Sequence, residues 1–193
     1  MASHIQVMRV TRILLLISFC LLTFGVTLFG QSKYVTENGQ IDFTSNAELE
    51  LIKATSSKVR GILDPSNNQI AFVIDVLSFT GFNSSLQREH FLEKYMEVHN
   101  YPKAEFSGKI IEHVDFLADG AYDVRVKGTL DIHGQKQIRI IKGKIIVKKG
   151  QVRIETDFVI PLTDHNISIP SIVNRKIATE IDVSFKATLT ANE

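Results

Sequence analysis

Along most of the chain, apolar and polar residues alternate with a period of two. Ile70, Phe72, Ile74 and Val76 alternate with Ala71, Val73 and Asp75. Tyr122, Val124 and Val126 face opposite to Asp123, Arg125 and Lys127, and past Gly128 the alternation resumes at Leu130 and Ile132. Val152, Ile154, Thr156, Phe158 and Ile160 alternate with Arg153, Glu155 and Asp157, and Ile177 to Leu189 repeats the pattern. Successive side chains of a strand point to opposite faces, so each segment has one apolar and one solvated side. That is the antiparallel habit; buried parallel strands read as unbroken apolar runs. Eight strands are predicted, near 40–46, 58–64, 69–79, 104–112, 121–132, 136–148, 151–161 and 177–190. Turn signals separate several of them: Ser66-Asn67-Asn68, Asp119-Gly120, His133-Gly134 and Lys149-Gly150. Many long strands without alternating helices favour a sandwich or barrel, and their length favours a tall closed barrel.

One interval keeps a different period. Leu86, Phe91, Tyr95 and Val98 recur at helical spacing between Ser84 and Val98. Ser84 followed by Gln87 forms a capping box, and Tyr101-Pro102 stops the helix, because the residue before proline avoids the helical region. The spacing predicts one inserted α-helix over 84–98, of about four turns. Its aromatic face is expected to lie toward the sheet, covering an opening or one wall of the barrel.

Ahead of the strands, residues 1–30 carry Arg9 and Arg12 and no carboxylate, followed by an apolar run from Ile13 to Phe29. A positive flank before such a run reads as a secretory signal peptide, with an uncleaved membrane anchor as the alternative. Residues 31–193 are then a single domain, expected in the periplasm or secreted. Without the leader, 20 basic residues face 21 acidic ones, and Cys20, the sole cysteine, is gone. A chain without thiols suits an oxidising compartment and forms no disulfide.

Charge and motifs exclude more than they assign. A formal net charge of +1 for the whole chain gives no reason to expect nucleic acid, which wants a strong basic excess. No nucleotide-binding glycine loop, G-x-S-x-G elbow or H-E-x-x-H pair occurs, so neither a cofactor nor a catalytic nucleophile is indicated. His90 and Glu93 share a helical face, with His99 just beyond, but a metal would need a further ligand, and no metal is expected. From Lys136 to Arg153 the chain carries Arg139, Lys142, Lys144, Lys148 and Lys149 without an acid. That run is either a solvated outer wall or guarded edge, or a patch for an anionic lipid or phosphate head group.

Phe79-Thr80-Gly81-Phe82, Leu86-Gln87-Arg88-Glu89-His90-Phe91, Lys94-Tyr95-Met96-Glu97 and Tyr101-Pro102-Lys103-Ala104-Glu105-Phe106 together resemble the central block of the YceI-like family. Gly128-Thr129-Leu130-Asp131-Ile132-His133-Gly134 resembles its second signature, and Ile167-Ser168-Ile169-Pro170-Ser171-Ile172-Val173 a later segment. The likeness spans Tyr34 to Leu189; the first hairpin, Ile41 to Gly61, departs from the family's commoner pattern. The resemblance implies an all-β fold, an eight-stranded antiparallel lipocalin-like barrel with a long tunnel. It also implies export to the bacterial periplasm, a polyisoprenoid or other long amphipathic ligand, and no catalytic residues.

An eight-stranded barrel has an interior able to hold one small ligand. The inward set expected here is Phe72, Ile74, Val76, Phe106, Ile110, Val124, Val126, Leu130 and Phe185, with Phe91 and Tyr95 from the helix. A chain of twenty buried carbons gains roughly 16 kcal/mol at about 0.8 kcal/mol per methylene, against about 4–15 kcal/mol for association. The same residues could instead fill a closed core. The partner expected is therefore a long-chain isoprenoid or fatty lipid held without catalysis, with membrane contact only through the signal segment and a homodimer left open. The alternatives are an envelope interaction or stress protein with no open tunnel, and a lipid-modifying enzyme using the same cavity.

Overall fold

In the computed structural model, which describes residues 32–192, the alternating segments form β1 (Tyr34–Asn46), β2 (Leu51–Asp64), β3 (Gln69–Asp75), β4 (Lys103–Ile110), β5 (Gly120–Ile132), β6 (Gln135–Lys148), β7 (Gln151–Pro161) and β8 (Glu180–Ala191). Each strand pairs antiparallel with the next, and β1 pairs with β8, closing a lipocalin-like barrel. The leader expected over residues 1–30 lies outside the described residues. Among the described residues no helix is long and apolar enough to cross a membrane. All strands and the main core cluster fall within Gln31–Glu193, a compact unit with its own core.

Three strand limits differ from the alternation by four residues or more, each for a local reason, and β8 starts at Glu180 instead of near 177. β1 starts at Tyr34 instead of near 40, because register shifts on either side of Gly39 break the period there. β2 starts at Leu51 instead of near 58, its inward face interrupted by Ser56, a buried hydroxyl hydrogen-bonded to Ser78 Oγ at 2.7 Å. β3 ends at Asp75 instead of 79: the Asp75 carboxylate accepts from the Leu77 N–H at 3.4 Å, and a 3-10 turn over Val76–Ser78 leads the chain off the sheet.

The predicted inserted helix is present but shorter than four turns and not α-helical throughout. Only α1 (Ser85–His90) is α-helical, and Phe91–Tyr95 continues as a π-turn closed by the Met96 N–H on the Phe91 carbonyl at 2.9 Å. The capping box forms: Ser84 Oγ accepts from the Gln87 N–H at 3.1 Å, and Gln87 Oε1 accepts from the Asn83 N–H at 3.0 Å. A 3.6 period places Phe91, Tyr95 and Val98 on one stripe, but the wider turn breaks that stripe. It buries Leu92, Met96 and Val98 with Val76, Leu130, Ile132 and Ile167, and leaves Phe91 and Tyr95 half-buried.

The two ends of the barrel are unlike. The β2–β3, β4–β5 and β6–β7 connections share one end, where Tyr34, Leu63, Ile110, Val114, Phe116, Val147, Val152 and Leu189 form buried core. There the Tyr34 hydroxyl donates to the Phe116 carbonyl at 3.3 Å. The other end carries a lid of α1 with its π-turn, and of 3-10 turns at Leu162–His165 and Ser171–Val173.

Two imidazoles sew this lid to the β5–β6 turn. His133 Nδ1 lies 3.0 Å from the His165 carbonyl, and His165 Nδ1 lies 3.2 Å from the Gln135 carbonyl. Both acceptors are carbonyls, so each Nδ1 carries the proton. His165 is fully buried, and its Nε2 has no hydrogen-bond partner. Burial pushes its pKa down, and the Arg139 guanidinium adds to this; the Gln135 and Ile132 carbonyls and the Asp164 carboxylate oppose it.

The native imidazole therefore resists protonation while the unfolded chain takes a proton near pH 6.5. Its contribution is complete above about pH 6.5 and is lost progressively as pH falls toward the lower native pKa. Thermal melts of residues 31–193 between pH 7.5 and 5 should show Tm falling with acid, and His165→Gln should reduce that slope. Equal slopes in the two proteins would show that His165 does not carry the effect.

Candidate ligand-binding site

The inward faces of the strands do not meet along the lid half of the barrel. A cavity of about 120 Å³ lies at mid-barrel, and one of about 420 Å³ lies under the lid. The two adjoin: Ile41, Ile74, Ala104, Ile132 and Ile160 line both. Of the residues expected from the sequence, Phe72, Ile74, Phe106, Val124, Val126, Leu130 and Phe185 line the first cavity. Val76, Phe91 and Tyr95, with Ile74 again, line the second. Ile110 lines neither; it is 1% exposed in the packed opposite end, where β4 terminates.

Glycines explain why large aromatic rings leave the middle open. A Cβ at Gly61 would collide with the Phe72 ring, and one at Gly128 would stand 2.7 Å from Phe106 Cζ. Each ring thus occupies the space of a missing side chain on the neighbouring strand and lies back against the wall. Phe72 also meets Phe185 edge-on, with centroids 4.8 Å apart. Such edge-to-face contacts fix ring orientation.

Under the lid, Phe91 is the centre of an aromatic cluster. It stacks on Phe43 at 5.3 Å and meets Phe79 at 5.7 Å and Phe82 at 5.1 Å. Sequence reasoning missed Phe43, Phe79 and Phe82 as lining residues. Phe79 and Phe82 lie where the chain has left the sheet, so no period marks them. Ile41, Phe43, Phe158 and Ile160 do alternate, and their strand patterns carried the signal.

The polar groups lining the lid cavity include Ser45, Glu50, Ser84, Gln87, His90 and Lys176, of which Ser45 is buried. Some are already engaged. Ser45 Oγ accepts from the Ala178 N–H at 2.9 Å, and Gln87 Nε2 donates to Glu50 Oε1 at 2.9 Å. Burial pushes the pKa of the Tyr95 phenol up from its already alkaline ordinary value. At mid-barrel the Thr156 hydroxyl is spent on the Lys142 carbonyl at 2.6 Å.

His90 and Glu93 are not brought together. His90 lines the lid cavity, whereas the Glu93 carboxylate lies 3.5 Å from His99 Nε2 at the surface. Among the described residues, no group of three or more His, Cys, Asp or Glu side chains is placed to hold a metal.

A model of the YceI-like domain matches residues 33–189 of the chain. The fold is similar to a polyisoprenoid binding domain from Saccharophagus degradans implicated in plant cell wall breakdown, at 16% identity and a TM-score of 0.71, covering 84% of this chain and 99% of that one. It is similar to BcnA of Burkholderia cenocepacia, at 16% identity and a TM-score of 0.65, covering 79% and 96%. It is also similar to the YceI protein of Campylobacter jejuni, at 17% identity and a TM-score of 0.60, covering 77% and 90%. No curated protein matches the chain.

Truncating the centre of the aromatic cluster should loosen the lid without opening the packed end. Phe91→Ala is expected to cost about 2 kcal/mol, below the range for fully buried phenylalanines because the ring is half-exposed. Urea melts of the lipid-free barrel measure this, and a loss within error of zero would show that the ring does not hold the lid.

Proposed function

Given that the chain belongs to the YceI-like domain family, we propose that it is an exported, non-catalytic carrier or store of a long-chain amphipathic lipid, a polyisoprenoid, held inside the barrel. The observation that carries this reading is the pair of adjoining apolar cavities, blind at one end and lidded at the other. A chain entering from the lid would run from the Phe43–Phe91 cluster past Ile74 and Ala104 to Phe106. Burial of methylenes against such walls supplies affinity without specific polar anchors. His90 and Lys176 suit the polar head of an amphipath, leaving its tail in the dry interior.

The choice of a polyisoprenoid is supported by the similar Saccharophagus degradans domain, which is named for that ligand. The absence of catalysis is supported by the separation of His90 from Glu93. Residues 1–30 would direct export and be removed, leaving residues 31–193 as the mature domain in the periplasm.

The test is mass spectrometry of the organic extract from protein purified after export. Wild type should retain one lipid chain per barrel. Gly61→Ala, which drives the Phe72 ring into the lumen, and Phe106→Asp, which places a carboxylate there, should each lower occupancy at least about tenfold while the protein stays folded. Occupancy equal to wild type in both folded variants would remove the mid-barrel cavity from the site. Failure to recover lipid from wild type produced in several hosts would overturn the carrier reading itself.

A further inference from the structure

The near-zero net charge of the chain conceals a segregated surface. The outward face of β6 presents Lys136, Ile138, Ile140, Lys142, Lys144 and Lys148. Ile138 is 76% and Ile140 58% exposed, on the outside of a closed sheet. Lys127 of β5 stands opposite Ile140, and Lys109 of β4 stands opposite Lys127. Lys136, Lys144 and Arg125 are paired with Asp131, Asp123 and Glu112, but among the described residues Lys109, Lys127 and Lys142 have no ion-pair partner. On another side of the barrel, Asp42 and Asp157 flank Ser184, and Asp182 lies one row along; among the described residues these three have no cation partner. One wall is basic with protruding isoleucines, and another is acidic.

The basic wall also borders a gap in the ladder. β6 pairs with β5 along its length but with β7 only from Lys144↔Glu155 to Lys148↔Gln151. Toward the lid, the two strands are joined by Thr156 on the Lys142 carbonyl and by Arg139, whose guanidinium reaches the Val159 carbonyl at 3.4 Å and the Asp164 carboxylate at 2.6 Å. Ile141 and Phe158, on the two sides of this seam, both line the mid-barrel cavity.

We propose that the outer wall of β4, β5 and β6 docks on a lipid bilayer carrying anionic head groups. The unpaired lysines meet phosphates, and Ile138 and Ile140 enter the interface between head groups and acyl chains. The acidic wall of β1, β7 and β8, repelled by the same surface, orients the barrel with β5 and β6 toward the membrane and the β6–β7 seam at the edge of the contact. A second copy fits less well. Two-fold pairing of this wall sets lysine against lysine, and pairing basic to acidic walls makes a head-to-tail contact that does not close. The inference extends the membrane contact expected of the leader alone to the folded domain, and its functional meaning rests on the carrier reading, since a lipid carrier must exchange cargo with a membrane.

Co-sedimentation of residues 31–193 with vesicles tests it. Binding should be strong to phosphatidylcholine vesicles containing about 40 mol% phosphatidylglycerol, absent with phosphatidylcholine alone, and lost in about 1 M salt, where screening is complete within about 3 Å. Each lysine at such a surface is worth about fivefold in partition, so Lys127→Glu with Lys142→Glu should weaken binding at least about twentyfold. Ile138→Ser with Ile140→Ser should weaken it comparably, whereas Ile172→Ser, at an exposed lid position, should not. Equal pelleting with both vesicle types, or β6 variants that bind like wild type, overturns the docking. So does a dimer in sedimentation analysis that the isoleucine variants convert to monomer. The lipid content of the purified protein, read separately, distinguishes a failure of docking from a failure of the carrier reading.

Discussion

The width of a closed eight-stranded sheet is set by its backbone, and these inward side chains cannot span it everywhere. Where the chain supplies extra material, the space is filled. At the packed end, the segment between β4 and β5 folds Val114 and Phe116 under the strands, against Tyr34, Leu63 and Ile110. Elsewhere the large rings are drawn aside: Phe72 over Gly61 and Phe106 over Gly128. The vacancy is thus built by side-chain placement, and an apolar chain is the natural complement to walls that offer few hydrogen bonds.

The lid follows from the same constraint. An open mouth would expose Phe43, Ile52 and Ile74 to water, and the insertion between β3 and β4 covers them. Its π-turn divides its apolar residues between two duties: Leu92, Met96 and Val98 pack down, and Phe91 and Tyr95 remain at the cavity. The His133 bond to the His165 carbonyl and the His165 bond to the Gln135 carbonyl tie the β7–β8 segment to the β5–β6 turn, and burial of His165 disfavours its protonated form. Arg139 and Asp164 extend the fastening across the β6–β7 seam.

Much of this was legible from the alternation of side chains. Strands β5, β6 and β7 fall within a residue of their predicted limits, because their periods are unbroken and glycine turns bound them. The inward positions Phe72, Val124, Val126, Leu130 and Phe185 follow from the same parity. What escaped was local. The shifts at Gly39 and the inward Ser56 masked the first hairpin, since a bulge resets parity and a buried hydroxyl looks exposed. The helical spacing of Phe91, Tyr95 and Val98 was real, yet one added residue in the turn redistributed them. Ile110 has the parity of a lining residue but lies where inserted loop residues have filled the lumen. Parity fixes direction across a sheet and says nothing about position along the barrel axis.

The same limit hid the surface pattern. The lysines between Lys136 and Arg153 read first as a solvated wall and only second as an anion patch until pairing across β4, β5 and β6 brought Lys109 and Lys127 beside them. All of these readings depend on the interior being unfilled by protein. A crystal structure of the exported barrel, purified without organic solvent, addresses that directly. The account predicts a tube of density from the Phe43–Phe91 cluster past Ala104 to Phe106, with Phe72 and Phe106 lying against Gly61 and Gly128. Phe106 and Phe158 closing on the Phe72–Phe185 pair across the axis, with no room between them, would contradict it.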